Sequence, residues 1–437
     1  MSKRAFPLSN IPETELSPTA RARELARAGR YEEAAGIIAA LLRDRFGLKV
    51  RQVRINADIY SLNSLNGTFE TDSQALFFKF HQEENESTMA GEYYRAELLA
   101  DAGLPVDQPL HASTEPGQQI LVYRRRHDRR FADVVRELDF SEDVRAMEPV
   151  LAAERRLNEQ LIRVYLRTLH PVSAAQCAAD PIHRLFHERL VDPARPGELG
   201  GRFAQFYRNR VFAFPGETLK WQDLSRLRIE VNGIAYRDTL GDLFEAAFQQ
   251  LEPRRFAGSG GVTAHGDAHN ANVWYEHGGR LVMFDPAFAG LHVPALLAEV
   301  KTTFHNVFAH PLWLYDPPAA TARFTANARR IGDLLQIETD WRPGLVRLEL
   351  LALKRDIVWR PLLRELAARR LMLANWRRML RLALFLCPTL VMNLRGGATT
   401  HSPVSSVIGF AVAVMIGSEP VSGGDAVSDF LDAIDPS

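Results

Sequence analysis

The spacing of apolar residues changes several times along the chain. In Thr19–Leu42 (TARARELARAGRYEEAAGIIAALL), Ala, Leu and Ile recur at three- and four-residue intervals, broken at Ala28-Gly29-Arg30. That period belongs to an amphipathic helix, and the break predicts a helical hairpin. No second copy follows, so the hairpin is expected to pack as an appendage rather than begin a repeat array. From Val50 to Val122 the period shortens to two. Val53–Ile59, Gly67–Thr71, Ala75–Phe80 and Gln118–Arg124 read as strands, the first two flanking a Ser- and Asn-rich turn. Glu86–Asp101 returns to helical spacing and stops at Gly103-Leu104-Pro105, and Met147–His170 predicts a long helix. Asp192–Gly201 reads as a Pro/Gly linker, and Asn232-Gly233 between RIEV and IAY is a strong hairpin signal. Val273–Tyr275 and Leu281–Phe284 form a second candidate hairpin across Gly278-Gly279. From Phe304 onward the pattern is mainly helical, with looser stretches at Gly396–Pro403 and Val421–Ser437.

Composition narrows the class. The 437 residues suffice for two or three domains, and 46% hydrophobic with 24% charged residues is ordinary for a globular protein. Basic and acidic residues each number 53, so no net field favours nucleic acid or an anionic membrane. Cys177 and Cys387 lie far apart without metal-ligand spacing, which suggests a reducing compartment. The N-terminal residues lack the apolar core of a signal peptide. The longest apolar runs, Leu380–Leu394 and Val404–Gly417, are short for a bilayer span. The expectation is a soluble cytoplasmic protein; nothing in the sequence bears on its oligomeric state.

The chemistry concentrates in Val262–Gly290. His265-Gly266-Asp267 is followed by Asn272, five positions past the aspartate, and by Asp285 at the end of the strand Leu281–Phe284. Phosphoryl transfer divides its work in this way. One carboxylate faces the attacking hydroxyl, while an amide and a second carboxylate hold Mg²⁺ against nucleotide phosphates. A tight loop followed by a hairpin puts all three on one wall; the plain alternative is a chance His-Gly-Asp in a polar loop. Lys79, inside the apolar strand ALFFKF, is costly there unless its ammonium reaches an anion. Its plain alternative is the solvated face of an edge strand.

HGDAHNANVWY…MFDPAFAG resembles the aminoglycoside phosphotransferase and choline kinase superfamily, the small-molecule branch of the protein-kinase-like fold. As in that family, Gly266 stands between His265 and Asp267, and Asp285 is followed by Pro286-Ala287 rather than Phe-Gly. The resemblance implies an α+β fold of two lobes behind the appendage of residues 1–48. Residues 49–125 would form a small antiparallel sheet with one helix. Residues 126–437 would form a helical lobe with the catalytic loop, an acceptor-site insertion at 171–261 and a helical extension. ATP (or GTP) and Mg²⁺ would lie between the lobes. Asp267 would orient the acceptor hydroxyl and take its proton, Asn272 and Asp285 would bind Mg²⁺, and His265 would prop the loop. Lys79, steadied by Glu92, would hold the α- and β-phosphates, with Glu97 as a rival partner on the solvated face. No Gly-x-Gly-x-x-Gly is present, so Ser61, Asn63, Ser64 and Asn66 stand in for the phosphate-covering loop, unless that segment is a plain turn. Arg124–Phe131 (RRRHDRRF) either contacts an acidic group or is a solvated connector paired with carboxylates.

The implied function is transfer of a γ-phosphoryl group to a hydroxyl of a small metabolite of the sugar, amino alcohol, nucleoside or aminoglycoside type. One departure weighs against a cationic acceptor. Where the family has a further Asp about a dozen residues after the metal ligand, this chain has Leu296-Leu297-Ala298, with Glu299 the nearest acid. A pseudokinase acting through protein interaction, or nucleotidyl transfer by the same fold, are the alternatives. A protein kinase is disfavoured because both Phe-Gly after Asp285 and an Ala-Pro-Glu segment are absent.

Overall fold

A computed structural model describes residues 16–56, 64–81, 95–113, 115, 117–141, 143–310 and 312–436. The chain divides into two compact units, one holding residues up to 94 together with 108–127, the other holding 95–107 and all from 128 onward.

The first unit is built on an antiparallel sheet of β1 (Arg51–Ile55), β2 (Ser64–Glu70), β3 (Ala75–His81), β4 (His111–Ser113) and β5 (Ile120–Arg124), in the order β1-β2-β3-β5-β4. Alternation decides its faces. Leu65, Phe69, Leu76, Phe78, Ile120 and Val122 share one core with Ala22, Ala26, Ala34, Ile38 and Leu42 of the helices Pro18–Arg27 and Tyr31–Phe46. The helical hairpin thus covers one face of the sheet with its apolar stripe. The Ser17 hydroxyl caps its first helix by accepting from the Ala20 N–H, and Gly47 closes the second in the left-handed region. Gly67 is required by close approach: a Cβ there would lie 2.2 Å from the Arg54 carbonyl oxygen and 2.7 Å from the Phe78 ring. The expected first strand is found two residues early, and its part at 57–59 lies outside the described residues, as does the helix before residue 95.

The second unit is mainly helical. Its central helix, Val144–Thr168, starts at Asp143, whose carboxylate accepts from the Arg145 and Ala146 N–H groups, and buries Met147, Val150, Leu157, Leu161 and Tyr165. The helices Trp376–Val391 and Pro403–Gly417 are buried over most of their length, in keeping with the long apolar runs of both sequences. Among the described residues no helix is long and apolar enough to cross a membrane. The α+β class, with a small antiparallel sheet in one unit and many helices in the other, is the one expected from the sequence.

Three local expectations need correction. Within the stretch read as mainly helical, Ala326–Ile331 and Leu334–Thr339 form an antiparallel hairpin, and the latter strand pairs in parallel with Arg228–Val231. Ala328, Leu335 and Ile337 are buried at strand spacing, and Gly332 takes the left-handed backbone that the turn needs. The supposed loose tail contains the helix Ala426–Ile434, capped by Asp425 and burying Val427, Phe430, Leu431 and Ile434. The supposed linker is a small hairpin of Val191–Asp192 with Arg195–Leu199.

The end of the helix Pro403–Gly417 is anchored by charge. Arg377 Nε and the fully buried Arg381 Nη2 donate to the two carboxylate oxygens of Glu419, at 2.6 and 2.7 Å. Burial pushes the Glu419 carboxyl up, but the hydrogen bonds from Arg377 and Arg381 outweigh it and bring its pKa down to about 2, from 4.5. The stabilisation is therefore complete above pH 4.5 and lost as pH falls toward 2. Glu419→Gln should cost about 2–3 kcal/mol in urea unfolding at pH 7 and flatten the decline of stability between pH 4.5 and 2. An unchanged acid limb in the variant would show that other carboxylates set it.

Candidate active site

The strand Gly260–Ala264 is buried throughout and lies between Gly290–Pro294 and His170–Pro171. It delivers the chain to His265, after which Gly266, at φ +77°, turns it sharply. His265 is 1% exposed, and its two ring nitrogens join two loops. Nε2–H donates to the Phe284 carbonyl at 3.0 Å, and Nδ1 accepts from the Asp267 N–H at 3.3 Å. These partners require the neutral ring protonated on Nε2, and burial, which holds its pKa down, agrees. One imidazole therefore ties the backbone of Asp267 to the residue preceding Asp285.

Asn272 completes the tie. Its Nδ2 donates to the Asp267 carbonyl at 2.9 Å, leaving Oδ1 as the acceptor end of the amide. Val273 pairs with Met283, and the Phe284 N–H donates to the Asn272 carbonyl at 2.9 Å, so Asp285 emerges directly beyond the last pair. Asp285 adopts φ +59°, the left-handed region that asparagine and aspartate tolerate better than most residues. The loop also rests on a buried ion pair. The Asn270 N–H donates to Asn306 Oδ1 at 2.8 Å, and the Asn306 carbonyl accepts from Arg347 Nη1 at 2.9 Å. Arg347, fully buried, grips Asp139 through Nε at 3.0 Å and through Nη2.

The Asp267 carboxylate itself is held only loosely. Its Oδ1 is buried and has no hydrogen-bond partner among the described residues. The nearest basic groups are His269 Nε2 at 3.9 Å, whose pKa burial lowers, and Lys301 Nζ at 4.0 Å. Lys301 in turn hydrogen-bonds His305 Nε2 at 2.9 Å, and His305 Nδ1 meets the Tyr315 hydroxyl. His305 lies in a π-helical turn, Phe304–Phe308, that follows the helix Val300–Thr303. Burial holds the His305 pKa far down, so its ring is neutral and accepts from the lysine.

In the second unit the backbones of Asp267 and of the residue before Asp285 are thus joined through His265, and Asn272 is joined to them through the Asp267 carbonyl. In the first unit, Lys79 lies on β3 between β2 and β5, which rules out the edge-strand alternative. It stands directly opposite Asn66, on the sheet face away from the helical hairpin. Asn66 links β2 to the residue after β1, since its Oδ1 accepts from Asn56 Nδ2 at 2.8 Å. Ser64 opens β2, whereas Ser61, Asn63 and Glu92 lie outside the described residues. Glu97 is exposed on its helix, as expected of the solvated face. Arg129 and Arg130 pair with Tyr275 and Trp274 as a short added strand, and the Arg129 side chain pairs with Glu137, as a connector would. Glu299 faces the interior, accepting from Tyr165 at 2.5 Å, Thr302 at 2.6 Å and Lys354 at 2.9 Å.

Sequence reasoning missed Lys301, His305 and Tyr315. The signal was present: a lysine in the apolar run LLAEVKTTF is as costly as Lys79 in its strand.

Among the described residues no group of three or more His, Cys, Asp or Glu side chains is arranged to hold a metal ion. An amide oxygen from Asn272 and a carboxylate from Asp285 make a sparse, all-oxygen donor set. That set fits Mg²⁺, which keeps several waters and takes its remaining ligands from substrate phosphates, and it does not fit structural zinc.

No family model and no curated protein matches the sequence. Solved structures with a similar chain path include the aminoglycoside phosphotransferase APH(4)-Ia at 14% identity, covering 86% of this chain and 97% of that one, with a TM-score of 0.40. The same enzyme in ternary complex with AMP-PNP and hygromycin B gives 12% identity, the same coverage and 0.41. Spectinomycin phosphotransferase APH(9)-Ia, in complex with ADP and spectinomycin, gives 11% identity, coverage of 86% and 98%, and 0.38. Likenesses of this size settle neither substrate nor chemistry, which rest on the residues described above.

Proposed function

We propose that this protein is a Mg²⁺-dependent phosphotransferase that moves the γ-phosphoryl group of ATP, or GTP, onto a hydroxyl of a small molecule. The observation that carries this reading is the His265 tie, which holds Asp267, Asn272 and Asp285 in one backbone frame. The acceptor oxygen attacks the γ-phosphorus and forms the new P–O bond. The bond from that phosphorus to the β–γ bridging oxygen breaks, and its electron pair leaves with the nucleoside diphosphate. The hydroxyl proton goes to the Asp267 carboxylate, whose Oδ1 has no competing partner among the described residues. Asn272 and Asp285 hold Mg²⁺, whose charge offsets that of the phosphates when bound. Lys79 holds the α- and β-phosphates, and Glu92 steadies it. The segment from Ser61 through Asn63 and Ser64 to Asn66 supplies further phosphate contacts.

A ligand that binds only the folded state stabilises it by about 2.7 kcal/mol at a hundredfold excess over Kd. Mg²⁺ with ATP should therefore raise the melting temperature, EDTA should remove most of the gain, and Asp285→Ala should lose its metal-dependent part. No metal-dependent shift in the parent protein would sink the reading. ADP as product supports phosphoryl transfer, pyrophosphate with AMP joined to the acceptor would indicate nucleotidyl transfer, and binding without turnover would indicate a pseudokinase.

A further inference from the structure

Lys301 is the group that the proposed chemistry leaves unexplained. It is 3% exposed, and an ammonium so placed is costly unless its charge and its N–H donors are matched. Among the described residues its one hydrogen bond goes to His305, and its one carboxylate neighbour is Asp267, at a distance too long for a hydrogen bond. A buried donor and a buried acceptor, Lys301 Nζ and Asp267 Oδ1, thus face each other 4.0 Å apart with nothing joining them.

Further positive charge acts on this gap. Arg189 and Arg202, both from the segment 171–261, act on Lys301 through space, and Cys387, whose thiol burial pushes up to about 12, stays neutral. Burial keeps His305 uncharged. Asp267 and Asp285 are the carboxylates acting here among the described residues, and both have roles in the transfer itself. A cationic acceptor would meet like charge, and a neutral one would leave the buried Lys301 with only the Asp267 carboxylate, beyond hydrogen-bond reach.

We propose that the acceptor carries an anionic oxygen group, a carboxylate or a phosphate ester, close to the hydroxyl it presents, and that Lys301 binds that group. This rests on the phosphotransferase reading and names its substrate class. A hydroxyl and a neighbouring anionic oxygen can lie side by side along this pair, each about 2.8 Å from its own protein partner. Arg189 and Arg202 add long-range attraction, and the His305–Tyr315 pair holds Lys301 in place.

The test uses four small hydroxyl-bearing probes, titrated into the full chain saturated with Mg²⁺ and ADP at constant ionic strength. Glycerate is the carboxylate, glycerol 3-phosphate the phosphate ester, glycerol the neutral match and ethanolamine the cationic one. At least one anionic probe should raise the melting temperature where glycerol and ethanolamine do not, and whichever does so identifies the anion. Lys301→Met, close to lysine in shape, should weaken that probe about 10- to 100-fold while the Mg²⁺–ADP shift persists. No preference for anions over glycerol, or an equal preference in Lys301→Met, overturns the inference. If Lys301→Met does not fold, the comparison of the four probes on the parent protein decides alone. A normal Mg²⁺–ADP shift without any anion effect defeats this inference and leaves the proposed function standing. Absence of the Mg²⁺–ADP shift defeats the proposed function itself.

Discussion

Asp267→Ala is expected to lose about 10²- to 10⁴-fold in turnover while keeping the full thermal shift with Mg²⁺ and ATP. The two halves of that result have separate structural causes. The loop does not depend on the carboxylate, because Oδ1 has no hydrogen-bond partner among the described residues. It depends on the Asp267 backbone, whose N–H is held by His265 and whose carbonyl accepts from Asn272. Truncating the side chain therefore removes the proton acceptor and leaves the proposed metal ligands in their frame. Single-turnover rates beside melting curves make the distinction directly. A variant as fast as the parent would remove the basis for giving Asp267 the acid–base role. A variant that loses nucleotide binding as well would mean that the carboxylate also holds the loop together.

Arg347→Met should carry the largest stability penalty, about 3–5 kcal/mol by urea unfolding, the usual cost of leaving one buried charge behind. Asp139 would then be buried with its main partner gone, since Arg347 reaches it through two nitrogens. The double variant Arg347→Met with Asp139→Leu should recover much of the loss, because pairs that share an interaction are not additive. The same change should reach the active site, as Arg347 holds the Asn306 carbonyl while Asn306 holds the Asn270 N–H. A fall in turnover at saturating nucleotide is therefore expected in the single variant, even at temperatures where it is folded. A penalty below about 1 kcal/mol would show that the pair is not the loop's foundation.

What was legible in the sequence and what was not differ by locality. His265, Asp267, Asn272 and Asp285 lie within one loop and one hairpin, so their spacing already limits where the backbone can place them. The helical hairpin followed from its period and the strand Ala75–Phe80 from its short apolar run, both local signals. The Lys301–His305–Tyr315 chain was hidden because it joins a helix, a π turn and a later loop, each apolar enough to pass as core. The hairpin Ala326–Thr339 was hidden for a different reason. Its outward positions include Asn327, Arg329 and Arg330, and Leu- and Arg-rich stretches around it pulled the reading toward a helix, although Gly332-Asp333 between two alternating runs marks a turn. The last helix looked loose because it is short, yet its Asp425 cap and its four buried apolar residues satisfy the ordinary rules.

The parallel pairing of Arg228–Val231 with Leu334–Thr339 has a consequence for how the molecule is made. Its partners are 106 positions apart, whereas the adjoining Asn232-Gly233 hairpin closes at once. On a ribosome adding about 5–20 residues per second, roughly 5–20 seconds pass before the partner strand emerges. During that interval Arg228–Val231 presents one edge of unmatched N–H and C=O groups, with Ile229 and Val231 still uncovered, to any neighbouring nascent chain. Recovery of folded protein from an expressing cell should then follow the pace of translation and the supply of chaperones more closely than the strength of the finished core.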